Sequence, residues 1–251
     1  YFDNYYKKYN FNKATFIKDN NFDPNKKIIL FATRSPNTYP WHPNVAETIS
    51  KLINTDSHFK DWQLIIRPHP IHYRKDDMGN MIYQDVLDQY KKLTKEFLNV
   101  HINYPEVYKT SKSFLLNKND SINLVNILKS SDILVNIFST MNIEAAICDI
   151  PIINICFEYN KPMYKFNLKN PRFNIYSDIK ESHNQRIVDS GGSAIAFNEK
   201  QLIYHLKEYV LQPEKDKDGR RTIVDREVGP YRGYAGKTIA DTIIGFANEK
   251  Y

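Results

Sequence analysis

Two groups of polar residues break apolar runs in this sequence at places where chemistry can be done. In "LVNIFSTMNIEAAICDIPIINICF", residues 134 to 157, the hydroxyls of Ser139 and Thr140 precede Glu144. On a helix that starts near Met141, the two hydroxyls fall at its amino end, and Glu144 lies one turn past Thr140 on the same face. The unused backbone N–H groups there, with the positive end of the helix dipole, suit a phosphate; a carboxylate one turn on suits the hydroxyls of an attached ribose. The same spacing also describes a cap that only stabilises the helix. In "RPHP", Pro68 and Pro70 keep the chain extended around His69, so Arg67 and His69 are presented with little freedom. An arginine at the end of a buried strand needs an anion, which a phosphate or a neighbouring aspartate can supply.

Weaker signals lie in three loops. "ATRSPNTYPWHP" offers Arg34 and Ser35 to a phosphate or an acceptor, "ESHNQRIVDSGG" offers His183 and Arg186, and "REVGPYRGYAGKT" offers Arg232 and Lys237. Basic residues in loops are ordinarily just solvated, and loops only sometimes carry function. There is no P-loop, no GxGxxG and no serine, histidine and aspartate arrangement, which excludes several enzyme classes.

The elements that must position these residues follow from periodicity. "KKIILFAT" (26–33) reads as a buried strand, "PNVAETISKL" (43–52) as a helix and "WQLIIRPHP" as a strand stopped by its prolines, which makes a βαβ unit. A helix over Tyr83 to Leu98 and a short strand at 100–102 follow, then a loop over 103–113. Asp120 and Ser121 cap a helix running to about Lys129. "DILVNIF", "TMNIEAAIC" and "PIINICF" then form a second βαβ unit. Residues 158–190 read as a long irregular connection, "GGSAIAF" as a strand, "EKQLIYHLKEYVL" as a helix capped by Asn198, "PEKDKDGRR" as an exposed loop and the segment after Gly236 as a last helix. The alternation implies an α/β fold with a doubly wound, Rossmann-like parallel sheet, whose ligands bind at the carboxyl ends of the strands.

With 251 residues, 41% of them hydrophobic and 14% aromatic, the chain can bury a sizeable core. Its formal charge of +6 is spread along the chain rather than gathered in blocks, so it favours no particular partner and gives no reason to expect nucleic acid. Cys148 and Cys156, each among apolar residues, read as core thiols, and no metal-binding spacing occurs. No apolar run reaches the roughly 20 residues that span a bilayer, and no signal peptide is visible, so the expectation is a cytoplasmic protein.

Taken in order, "RPHP", "SSDILVNIFSTMNIEAAICDIPIINICF" and a glycine-containing loop before a last helix resemble the donor-binding half of a GT-B glycosyltransferase. The resemblance is to the group of CDP-glycerol glycerophosphotransferases and related capsule-polysaccharide transferases. It covers residues 27 to 247, with "RPHP" and the 131–157 block its specific parts. It implies that Ser139 and Thr140, with Arg34 and Ser35, hold the donor phosphates, that Glu144 holds the ribose, and that Arg67 and His69 stabilise phosphate or leaving-group charge. His183 and Arg232 would close the site from its far side. The implied donor is a nucleotide sugar or CDP-polyol serving as substrate, with neither cofactor nor metal. Where the family often has Asp-Tyr before the hydroxyl pair, this chain has Ile137-Phe138, which suits a nucleotide sugar at least as well as CDP-glycerol. The resemblance further implies that residues 1–22 are a linker or remnant of an N-terminal acceptor domain and that 23–251 are the donor domain. The acceptor would be a cell-surface glycan or a lipid-linked one, met at the inner face of a membrane. A nucleotide-sugar 2-epimerase-like enzyme and a noncatalytic nucleotide-binding module are the rival readings, since fold alone does not separate them.

Overall fold

Ile28 to Ala32 are apolar at every position, so a strand made of them needs cover on both faces, the mark of a central parallel strand. The computed structural model, which describes residues 2–6, 11–109, 114–116, 118–164 and 174–248, shows that arrangement. In chain order its elements are α1 (Asp3–Tyr6), α2 (Lys13–Asp19), β1 (Lys27–Ala32), α3 (His42–Thr55), β2 (Trp62–Arg67), α4 (Gln84–Glu96) and β3 (Val100–Ile102). There follow β4 (Val107–Lys109), β5 (Phe114–Leu116), α5 (Lys118–Ser130), β6 (Ile133–Asn136), α6 (Met141–Ile147) and β7 (Ile152–Ile155). The last are α7 (Ile175–Asp178), α8 (Ser182–Asp189), β8 (Ala194–Ala196), α9 (Glu199–Leu211), α10 (Lys217–Glu227) and α11 (Ala235–Asn248).

Six strands form one all-parallel sheet in the order β3-β2-β1-β6-β7-β8, as the doubly wound reading expects. β1 sits at its centre, in register with β2 from Lys27 beside Trp62 to Ala32 beside Arg67. Its side chains alternate between two cores: Ile29 and Phe31 pack under α3, α4 and α9, whereas Ile28, Leu30 and Ala32 pack under α1, α2, α5, α6 and α10. Each fully buried Ile or Leu contributes about 1.5–3 kcal/mol relative to exposure, so a one-residue slip of the strand is strongly disfavoured.

Three stretches differ from the sequence reading. Residues expected to form a loop over 103–113 include β4, which pairs antiparallel with β5, Val107 beside Leu116; residues 110–113 lie outside the described residues. A three-residue strand is too short to show a period. The irregular connection expected at 158–190 contains α7 and α8; α8 buries only Asn184 and Ile187, with Val188 half-buried, and so shows almost no apolar stripe. "PEKDKDGRR" runs into α10, whose core-facing residues include Arg220, fully buried. Its guanidinium donates to the Asp149 carboxylate at 2.9 Å and to the Lys215 carbonyl at 2.7 Å, which fastens α10 to the turn between α6 and β7.

That fastening is helped by a close crossing of two glycines. A Cβ on Gly192 would come within 2.5 Å of the Gly219 backbone, and one on Gly219 within 2.3 Å of Gly191, so neither position admits a side chain. α11 starts beside the first helix, its Ala235 and Gly236 N–H groups donating to the Asp3 carboxylate at 3.2 and 3.1 Å. Among the described residues no helix is long and apolar enough to cross a membrane.

Candidate functional site

At the centre of the sheet the chain winds away from β1 in both directions, and the crevice so formed lies beyond the carboxyl ends of β1, β2 and β6. A cavity of about 570 Å³ occupies it. Arg34 follows β1, Arg67 ends β2, and His69 and Pro70 continue from it. Ser139, Thr140 and Glu144 come from the β6–α6 turn and its first helical turn, and His183 from α8. With Arg186, also on α8, eight residues named from sequence therefore share one cavity, although they come from four separate stretches of chain. Ser35 and Arg232 do not line it. The Arg232 guanidinium is turned to Asp225 and to the Gly229 carbonyl instead.

Three arginines line the cavity and each meets a carboxylate: Arg34 with Asp178 at 2.6 Å, Arg67 with Asp120 at 2.8 Å, Arg186 with Glu227 at 2.9 Å. Arg67 is the most committed. It is 7% exposed, donates through one nitrogen to both Asp120 oxygens at 2.8 and 2.9 Å and through the other to Asn103. Asp120 was expected to cap α5; it lies within the helix, and its carboxylate accepts from Arg67 and from the Glu106 N–H at 2.9 Å. The sequence signals only that such a partner must exist: an arginine at a buried strand end requires an anion. Which anion, no local pattern says.

His69 is held by its backbone and open at its ring. Its N–H donates to the Thr33 hydroxyl at 2.9 Å, and its Nδ1 accepts from the Ile71 N–H at 3.2 Å. An accepting Nδ1 puts the proton of the neutral ring on Nε2, leaving Nε2–H as a donor. Desolvation of the ring by the surrounding cavity wall, then the nearby Arg34 charge, lowers its pKa from the usual histidine value, so the neutral form prevails at pH 7.

The hydroxyl pair divides its work in a way spacing did not reveal. The helix begins at Met141, where the sequence places its start, and it is Thr140 rather than Ser139 that occupies the N-cap. Thr140 makes no side-chain capping bond, while the Ser139 hydroxyl accepts from the Met141 N–H at 3.3 Å and donates to the Asn136 side chain at 3.2 Å. Ser139 thus builds the turn, and Thr140 is exposed with its side chain uncommitted to a cap. Glu144 is 1% exposed, a carboxylate at the cavity's floor rather than its rim. Among the described residues no group of three or more His, Cys, Asp or Glu is placed to hold a metal ion.

A family model described as "Protein of unknown function (DUF354)" matches residues 6–209. Among curated proteins none matches the chain. Solved structures that it resembles include WaaG, a glycosyltransferase involved in lipopolysaccharide biosynthesis, at 13% identity and TM-score 0.52, covering 98% of this chain and 54% of WaaG. S. aureus MnaA with UDP is similar at 15% identity and TM-score 0.53, over 97% of this chain and 50% of that one. UDP-GlcNAc 2-epimerase from Neisseria meningitidis bound to UDP-GlcNAc gives 15% and 0.53, over 93% and 48%. The chain thus spans about half the length of the solved structures it matches. At such identities the likeness is one of fold: a Rossmann-like, doubly wound sheet of the kind that forms one half of the GT-B architecture.

Proposed function

The chain belongs to the DUF354 family, and from that premise we propose that it is the donor-binding half of a GT-B-type transferase. It would move a sugar or polyol phosphate from a nucleotide-activated donor to the acceptor from which a cell-surface glycan is built. One observation carries the reading: a single cavity at the sheet's switch point gathers Thr140, His69, Arg34 and Glu144, the groups a nucleoside diphosphate needs. The named ligands of two similar folds, UDP and UDP-GlcNAc, agree with a donor of that class.

In this reading the diphosphate meets the Thr140 hydroxyl, the His69 Nε2–H and Arg34, and the ribose reaches down to Glu144. Arg67, already held by Asp120, shapes the floor and adds field rather than a direct contact. As the bond to the leaving phosphate breaks, its growing negative charge is stabilised by donors fixed in place before the reaction. His69 suits that role because its backbone is pinned at Thr33 and flanked by prolines, so no reorganisation is needed. In this reading Arg34, Thr140 and the His69 Nε2–H stabilise that charge without a metal ion, and transfer by the enzyme should then persist in excess chelator. The base that activates the acceptor hydroxyl would come from an N-terminal acceptor domain, at the cytoplasmic face of a membrane.

Calorimetric titration with UDP, CDP and GDP and their sugar or polyol conjugates tests the reading. Binding of at least one nucleoside diphosphate is expected, weakened about tenfold in Glu144→Ala, while inorganic pyrophosphate binds that variant as it binds the parent. Silence from every nucleotide at millimolar concentration sinks the proposal. The epimerase reading rests on folds that match this chain as closely as the glycosyltransferase does. Conversion of a UDP-sugar with no acceptor present would establish it instead.

A further inference from the structure

Two histidines stand directly behind the cavity and enter none of the roles above. His42, at the start of α3, and His72, three residues past His69, are both 0% exposed. His42 Nε2 accepts from the backbone N–H of Arg34 at 2.8 Å. His72 Nδ1 lies 2.8 Å from the backbone carbonyl of His69; a carbonyl only accepts, so Nδ1 carries the proton and donates. Each imidazole therefore grips the main chain of one cavity residue, on two different loops. Their tautomers follow and are opposite: His42 is left with an Nδ1–H donor, His72 with a bare Nε2 acceptor. Neither of these atoms has a hydrogen-bond partner among the described residues. The rings are neighbours, with centres 6.3 Å apart and planes inclined at 66°.

An imidazole is a costly way to fill an apolar core, since a buried polar nitrogen without a partner loses its hydration and gains nothing. Phe31 and Tyr39 flank His42, and Tyr83 and Tyr90 flank His72, so a phenyl ring would suit both sites at least as well on packing grounds alone. What a phenyl ring lacks is the bond to the loop.

We propose that His42 and His72 are positioning residues for the donor site, a buried imidazole pair that holds the Arg34 loop and the His69 loop at a fixed separation. The inference rests on the donor-site reading for its purpose, and on the two main-chain bonds for its mechanism. It predicts that the requirement at each position is one hydrogen-bonding atom. Glutamine at 42 places an acceptor where Nε2 stands, and asparagine at 72 places a donor where Nδ1 stands; phenylalanine at either keeps the ring and removes the bond.

Nucleoside diphosphate titration and amide hydrogen exchange on the full chain, run on His42→Gln, His42→Phe, His72→Asn and His72→Phe, test this, with thermal midpoints to report folding. Affinity is expected to fall at least tenfold in the phenylalanine variants and to return within threefold of the parent in the glutamine and asparagine ones, even where these melt lower. The Arg34 amide should exchange at least tenfold faster in His42→Phe than in His42→Gln. Should a phenylalanine variant fail to fold, the glutamine and asparagine variants carry the comparison against His42→Ala and His72→Ala. Phenylalanine variants that bind like the parent, or an Arg34 amide whose exchange ignores position 42, overturn the proposal. A parent protein that binds no nucleotide overturns the donor reading instead, and amide exchange alone then decides whether the pair holds the loops.

Discussion

The ends of β2 and β6 look alike in sequence, each an apolar strand running into polar residues at the same edge of the sheet, yet they are finished in opposite ways. β2 ends in a charge that the protein neutralises itself: Arg67 is enclosed by Asp120 and Asn103. β6 ends in a turn whose hydroxyl at Ser139 is spent on the backbone and whose neighbour at Thr140 is left exposed. The lesson is that residue type nominates a binding group, while the partner it meets on folding decides whether it is available. His69, two residues past Arg67, makes the point within one tetrapeptide, since its ring stays open beside a guanidinium that is taken.

The largest effect should come from opening the closed end. Asp120→Ala leaves Arg67 as a buried, unbalanced charge and should cost about 3–5 kcal/mol in urea unfolding. If the variant keeps its stability, Arg67 is freer than its geometry indicates and the contrast with β6 fails.

Acid should attack the histidine layer behind the same loops. Burial holds His72 down to about 4 and His42 well below its usual value, so both are neutral when folded and protonate near 6.5 when unfolded. Between about pH 6.5 and 4 the unfolded chain binds more protons than the folded one, so stability falls as pH falls. The slope is about 1.4 kcal/mol per pH unit for each histidine, and flat above pH 7. Unfolding curves at pH 7, 6 and 5 measure it, and His72→Phe should remove its share of the slope.

At the open end the two hydroxyls should separate function from stability. Thr140→Ala is expected to weaken nucleoside diphosphate binding about fivefold, roughly 1 kcal/mol, with its melting point unchanged, because Thr140 makes no capping bond. Ser139→Ala should do the reverse on a smaller scale, costing about 0.5–1 kcal/mol of stability by removing the acceptor for the Met141 N–H. Interchanged results would reverse the division of labour read from the turn.

The central strands and most helices were legible in sequence because a strand buried on both faces must be continuously apolar and a helix over a sheet must repeat an apolar stripe. β1, β2, β6 and β7 and the helices α3, α4, α5 and α9 show those marks. α8 and α10 were not legible, for a helix that meets the core through Asn184 and Ile187, or through a buried Arg220, writes no such stripe. In the site, the cluster of Arg67, His69, Ser139, Thr140 and Glu144 was readable from strand ends and prolines. Asp120, Asp178 and Glu227, the carboxylates that hold the cavity's arginines, were not, because each lies 41 to 144 positions from its partner.

By itself the sequence determined where the strands end and which polar residues stand there, since hydrophobic period, proline and turn chemistry act over a few neighbouring residues. Only the tertiary structure decided which of those groups remain available. Pairing of charges and hydrogen bonds is settled by which distant segments the sheet brings within about 3 Å, a distance scale at which desolvation makes any buried charge take the nearest counter-charge. Thus Arg67 went to Asp120 and the backbone of Arg34 to His42, while Thr140 and the ring of His69 were left facing the cavity.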